Sequence, residues 1–267
     1  DGYADSNRFS DKALLIYNDF LHSGKFLTHY KWLKNAAEDY DIKLELMGNS
    51  ECLCSYGTSF DNELIETLGK YRFILFWDKD IRLGKKFTNI CKKINIPIYN
   101  NIRAIADCDD KSATYEKIGQ WNDCHDTLEQ IKMIPTIVAP MTYENIGYTD
   151  MNFLDKVAEK FGFPLVIKEC FGSFGMQVYM AHDMDELKKR VSDIGGKPMI
   201  FQKFIEKSSG FDVRLQVVGD EVVAAMYRYT DDGDFRANIT HGGKMKSYEP
   251  DASEIKLATD TVKSLGL

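Results

Sequence analysis

Lys168 closes the apolar run Phe163-Pro164-Leu165-Val166-Ile167 and is followed, after three residues, by the loop Gly172-Ser173-Phe174-Gly175. Such a run reads as a core strand, so an ammonium at its end requires either solvent or an anion. Two glycines around a short tip let main-chain N–H groups close on phosphate oxygens, at roughly 0.5–1 kcal/mol of extra backbone entropy per glycine relative to alanine. Strand, lysine and loop together suit a nucleotide phosphate; taken alone, a glycine-rich turn between two strands is more often an ordinary hairpin. A second lysine, Lys111, lies in the first turn of a helix that DDKSATYEKIGQW predicts, capped by Asp109 or Asp110. A cation there opposes the helix macrodipole, so Lys111 is either a solvated surface residue or is held for another reason. Further on, residues 213–218 and 222–228 alternate across Gly219-Asp220-Glu221 and predict a hairpin with Arg214 and Gln216 on one face.

The elements that must position these residues fall into two patterns. Over the first hundred residues, apolar runs at 13–17 (ALLIY), 44–47 (LELM), 73–77 (FILFW) and 96–99 (IPIY) alternate with amphipathic stretches at 27–40, 62–70 and 83–94. This is the pattern of a small open parallel sheet with helices on both faces, whose ligands lie beyond the carboxyl ends of the strands. Those ends carry 18–25 (NDFLHSGK) and Asp78-Lys79-Asp80, which read as solvated loops or as substrate contacts; Gly24-Lys25 lacks the spacing of a Walker loop. From Asp109 the chain turns strand-rich. Strands are predicted at 135–139, 165–168, 177–180 and 199–204, and helices at 152–160 and 183–191, the latter with Asp183 as N-cap and Glu186 completing a capping-box-like arrangement.

Composition bounds the activity. With 34 Lys and Arg against 41 Asp and Glu, the 267-residue chain has a formal charge of −7 and no basic block, which argues against nucleic-acid binding as its main role. No apolar run reaches the roughly 18 residues needed to span a bilayer, so no membrane partner is expected and a cytoplasmic location is. The six cysteines form no CxxC pair and are expected to be free thiols; no HExxH or other metal pattern is present.

Four segments then occur in an order that resembles a known family: IADCDDK ending at Lys111, FPLVIKECFGSFG, FQKFIEKSSGFDVRLQVVGDEVVAAMYR, and DFRANITHGGKM. Together they resemble the ATP-grasp carboxylate–amine ligases, most closely the RimK-type glutamate ligases. The resemblance implies an α/β pre-ATP-grasp, Rossmann-like domain at 11–108 that binds substrate. An α+β ATP-grasp domain follows at 109–267, with a central lid part to about 202 and a partial C-terminal part from about 203. It implies ATP with Mg²⁺, and amino-acid or peptide substrates: a carboxylate, such as that of glutamate, is activated as an acyl phosphate and joined to an amine. It also leaves room for a homo-oligomer. A non-catalytic nucleotide-binding module of the same ancestry is the alternative.

By the same resemblance Lys111 and Lys168 approach the nucleotide, with Lys168 on its phosphates, and Gly172, Ser173, Phe174 and Gly175 form a flap over the triphosphate. Gln202, Lys203 and Phe204 line the adenine edge, largely through the main chain; the family often has Glu where this chain has Lys203, so no side-chain role follows there. Asp212 approaches the ribose. Arg214, Arg228 and Arg236 face the reacting end, and Arg236 with Asn238 forms the RxN element. Arginine suits that place because its planar fork binds two phosphate or carboxylate oxygens together. The family's metal ligands, an Asp and an ExN pair, would fall beyond Leu267. No metal ligand is therefore expected in this chain, which reads as C-terminally incomplete and weak or inactive by itself.

Overall fold

The structure, a computed structural model, describes residues 11–21, 23–57, 60–231, 233–237 and 242–267. The chain divides into two compact units, Asp1–Ala106 and Asp107–Leu267.

The first unit is built on four parallel strands, β1 (Lys12–Tyr17), β2 (Lys43–Gly48), β3 (Ile74–Phe76) and β4 (Ile98–Tyr99), in the order β2-β1-β3-β4. Its helices are α1 (Gly24–Glu38), α2 (Phe60–Leu68), α3 (Ile81–Ile94) and α4 (Ile102–Asp109), the last running across the division between the units. Side chains alternate across a strand, and β1 shows the consequence directly. Leu14 and Ile16 join a core with Leu68, Leu83, Phe87 and Ile90 from α2 and α3. Ala13 and Leu15 pack on the other face against Tyr30 and Leu33 of α1. Both faces are thus covered, as the unbroken apolar run ALLIY requires. Each fully buried leucine or isoleucine contributes about 1.5–3 kcal/mol relative to exposure, so this one strand anchors both layers. Asp80 caps α3 by accepting from the Leu83 N–H at 3.0 Å, and Asn95, at φ 55°, ends it in the left-handed region.

The second unit carries two antiparallel sheets. One, in the order β5-β8-β6-β7, comprises β5 (Thr136–Val138), β6 (Leu165–Glu169), β7 (Val178–Ala181) and β8 (Met199–Lys203). One of its faces buries Leu165, Ile167, Met199 and Phe201 against α6 (Phe153–Phe161) and α7 (Met184–Ile194). The other sheet, ordered β11-β10-β9, contains β9 (Phe211–Val218), β10 (Glu221–Tyr229) and β11 (Lys244–Ser247). Helices α5 (Lys111–Asp123) and α8 (Ala252–Leu265) complete the unit. The parallel sheet followed by antiparallel ones is the architecture expected from the pattern of runs.

The differences are local. The sequence pattern did not announce α4 or β11: every residue of β11 is exposed, so it carries no alternation to read. The hairpin turn shortens to Gly219-Asp220, because Glu221 already pairs with Val218. At α7, Asp183 accepts from the Glu186 N–H at 2.9 Å, but Glu186 reaches back to the His182 N–H at 2.8 Å rather than to Asp183, so the reciprocal box is displaced by one residue. All six cysteines are free, and burial pushes Cys52 and Cys91 up to about 12. Among the described residues, no helix is long and apolar enough to cross a membrane.

Candidate functional site

The face of the β6 sheet opposite its core forms one wall of the site. Val166 lies across from Gln202, and Lys168 across from Ile200 and Val178, so the two-residue period that buries Leu165 and Ile167 also turns Lys168 away from the core. Val166, Lys168, Val178 and Gln202 line a cavity of about 250 Å³, together with Lys203, Phe204, Asp212, Phe235 and Arg236. Six of the residues expected at a nucleotide site are therefore gathered around one hollow in the second unit. Phe204 and Phe235 meet edge to face there, at 6.3 Å between ring centroids.

Lys168 is the electrostatic centre. Its pKa is lowered from the ordinary 10.5, first by burial and then by the nearby charge of Lys111. Among the described residues no acceptor or counter-ion lies within reach of its ammonium. Lys111 has a visible reason for its place in a first helical turn. Its Nζ donates to the carbonyls of Cys170 and Gly172, both at 3.2 Å, and its backbone N–H donates to Cys170 at 3.1 Å. Asp110, not Asp109, is the cap of α5, accepting from the Ser112 N–H at 2.8 Å. Lys111 thus ties the start of α5 to the start of the glycine loop.

The loop continues from there. Phe174 has φ 60°, where a β-carbon is disfavoured, and Gly175 follows at φ 76°. Phe174 is 52% exposed. Gly172 is required by contact: a β-carbon there would meet Gln177 Oε1 at 2.5 Å. The Gln177 Oε1 is buried and, among the described residues, has no hydrogen-bond partner. At the loop's far end, Gly175 accepts from Arg236 Nη1 at 3.1 Å.

The arginines are arranged unequally. Arg228 forms a two-point ion pair with Asp212 directly across β9 and β10, both contacts at 2.6 Å. Arg214, two pairs further along the ladder and opposite Met226, has its pKa lowered by desolvation and then by Arg228, against the opposite pull of Asp212. Arg236 is gripped by Asp234, with Nη2 at 2.7 Å from Oδ2 and Nε at 3.1 Å from Oδ1. Asp234 and Gln177 were not anticipated; the first could have been suspected from its place two residues before Arg236. The Gln202 side chain is nearly fully buried, donating to the Tyr115 hydroxyl at 2.6 Å and to Thr136 Oγ1 at 2.9 Å, while the Lys203 side chain is exposed. Asn238 lies outside the described residues.

Residues 123–267 match the RimK-like ATP-grasp domain family. The chain belongs to that family. A Mycoplasma pneumoniae protein described as the homolog of MG012 is 28% identical to this RimK-like chain over 259 residues, covering 94% of the chain and 82% of that protein. A probable alpha-L-glutamate ligase from Trichodesmium erythraeum is 39% identical over 108 residues, covering 40% of the chain and 36% of that protein. The RimK domain ATP-grasp protein from Sphaerobacter thermophilus superposes with a TM-score of 0.62 at 16% identity, covering 96% of this chain and 82% of that one. Among the described residues, no group of three or more His, Cys, Asp or Glu converges as a metal site. The donor set present therefore does not by itself fit Mg²⁺, and no step below is routed through it.

Proposed function

We propose that the chain supplies the nucleotide site of an ATP-dependent ligase that activates a carboxylate, such as that of an amino acid or peptide, as an acyl phosphate and joins it to an amine. The observation that carries this reading is the half-buried Lys168 ammonium, without an acidic partner among the described residues, opening on the cavity that Arg236, Phe204 and Phe235 also line. A unit charge pair at 4 Å is worth about 4 kcal/mol at an effective dielectric of 20, so an incoming phosphate is the partner that would relieve both lysines.

In this reading the phosphates meet Lys168, with Lys111 holding the loop 172–175 so that its N–H groups can turn onto them. The adenine edge meets the main chain after Gln202. The Lys203 N–H is spent on Pro135 at 3.1 Å, so the contact falls to the Phe204 N–H. The buried Gln202 amide fixes that strand rather than reaching the base. Asp212 holds the ribose while its other face holds Arg228. Arg236, with Asn238, receives the transferred phosphoryl group and the acyl phosphate, and Arg214 and Arg228 neutralise charge at the reacting end. Such catalysis consists of positioning and charge neutralisation and needs no side-chain nucleophile.

The test is a screen of amino-acid and peptide pairs for ADP release, with nucleotide affinity measured in parallel. We expect ATP binding together with pair-dependent ADP release, and Arg236→Ala to suppress release while ATP binding persists. Full turnover by Arg236→Ala would remove that arginine from the chemistry; binding with no release for any pair would favour a nucleotide-binding module without catalysis.

A further inference from the structure

One hollow of the first unit lies away from the carboxyl ends of its strands. It follows the outer edge of β2, has a volume of about 940 Å³ and is lined by Asp11, Lys34, Glu38, Ile42, Lys43, Leu44, Glu45 and Leu46. Among the described residues, β2 ends the sheet on this side and pairs only with β1. Lys43 donates its N–H to Asp11, so the odd-numbered residues of β2 bond inward and the even-numbered ones point outward. Two of the outward N–H groups are already satisfied: Ile42 donates to Ala37 at 3.0 Å and Gly48 to Glu51 at 2.9 Å. The remaining pair, Leu44 and Leu46, faces the hollow. Native sheets block such an edge with proline, a bulge or a covering element. β2 has no proline and no register shift against β1, and Leu46 is 39% exposed beside it.

We propose that this edge pairs with a second copy of the chain, β2 running antiparallel to β2 of the copy about a two-fold axis at Leu44, to give a continuous eight-stranded sheet across the dimer. The main-chain pattern and the charges select the same register. With Leu44 on the axis, its N–H and carbonyl exchange bonds with Leu44 of the copy, and each Leu46 N–H meets the Ile42 carbonyl of the other chain. The same register sets Lys43 opposite Glu45 of the copy, twice by symmetry. Both side chains are available, at 65% and 30% exposure, although Glu45 also contacts Lys12 at 3.1 Å and Lys43 at 3.4 Å within its own chain. Shifting the axis to Glu45 would oppose two glutamates, which is unfavourable in a cross-strand pair. The walls of the hollow carry both signs, Lys34 and Lys43 with Asp11, Glu38, Asp41 and Glu45, so they present no single-sign barrier to the copy.

The full chain should sediment as a concentration-dependent monomer–dimer mixture. Lys43→Glu places glutamate against Glu45 of the copy at two symmetry-related positions and should weaken the dimer at least about tenfold. The charge swap Lys43→Glu with Glu45→Lys should restore it, thermal melts serving to show that each variant folds. Because Glu45 also accepts from Tyr71 at 2.8 Å, a second experiment does not depend on that swap. Lys43→Cys and Glu45→Cys chains, mixed under mild oxidation, should give a disulfide between positions 43 and 45, since directly opposite residues of a non-hydrogen-bonded pair lie about 4.5 Å apart, within disulfide range. A chain that stays monomeric at every concentration overturns the proposal. So does a dimer indifferent to Lys43→Glu, or a persisting dimer in which the mixed cysteines fail to join.

Discussion

Lys168 holds its charge where the surroundings oppose it. Burial and Lys111 both disfavour the ammonium, and among the described residues nothing acidic compensates. In the function proposed above, stability and phosphate binding therefore pull in opposite directions at this residue. Lys168→Met should raise the unfolding free energy by about 0.5–2 kcal/mol, the range of single stabilising substitutions, while weakening ATP binding at least about tenfold. Thermal melts and calorimetric titration on one sample check both signs, and an unchanged ATP affinity would take the phosphate away from Lys168. The lowered pKa also fixes a pH dependence. In the free protein the ammonium gives up its proton below 10.5, the ordinary lysine value, whereas a bound phosphate stabilises the charged form. Binding must then take up a proton between the two values. ATP affinity should be full below the depressed pKa and decline as pH rises through it. Because the unfolded chain keeps that proton longer, stability without nucleotide should rise over the same interval. Titrations in buffers of different ionisation enthalpy measure the uptake, which Lys168→Met should abolish.

At the scale of the element, the glycine loop is held at three points: by Lys111 at its start, by Gln177 beneath Gly172, and by Arg236 at Gly175. Gly172→Ala would drive a methyl group into the Gln177 side chain, with Cδ at 2.9 Å and Cβ at 3.0 Å. Its neighbour is a half-buried but flexible side chain, so global stability should fall by no more than about 1–3 kcal/mol, the usual cost of overpacking. ATP affinity should fall further than stability does, and adding Gln177→Ala should recover part of it; no recovery in the double variant would show that the loop needs Gly172 for another reason. How much of this was legible in the sequence follows from burial. β1, β6 and β8 announced themselves because their residues are packed on the core, and apolar runs are what a core demands. β11 did not, being exposed throughout, and α4 carries only two buried positions in its eight residues. The site was legible as a set of residue types and less so as a geometry. Nothing in the spacing of Asp212 and Arg228 revealed that the hairpin register would make them partners, and Gln202 read as a ligand contact until Tyr115, 87 positions earlier, was found to hold it.

The whole molecule consists of two units with independent cores. Lys111, Lys168, the loop 172–175, Asp212 and Arg236 all belong to Asp107–Leu267, whose packing rests on its own cluster around Leu154, Leu165, Leu187 and Phe201. The first unit has two cores of its own, on opposite faces of its sheet. At the carboxyl ends of its strands, polar residues are bound to one another: Asn18 donates to Asp78 at 3.4 Å, and Asp19 accepts from Ser50. Burial raises the Asp78 pKa, with Asp80 adding to the effect and hydrogen bonds from the Lys79 backbone and the Asn18 side chain opposing it. If nucleotide recognition is confined to the second unit, residues 107–267 produced alone should bind ATP within about threefold of the full chain and lose amine-dependent ADP release. Calorimetry on the fragment and the full chain makes the comparison directly. A fall in affinity beyond about tenfold, in a fragment whose melt is still cooperative, would mean that the parallel-sheet unit takes part in holding the nucleotide and that the division of labour argued from these cores is wrong.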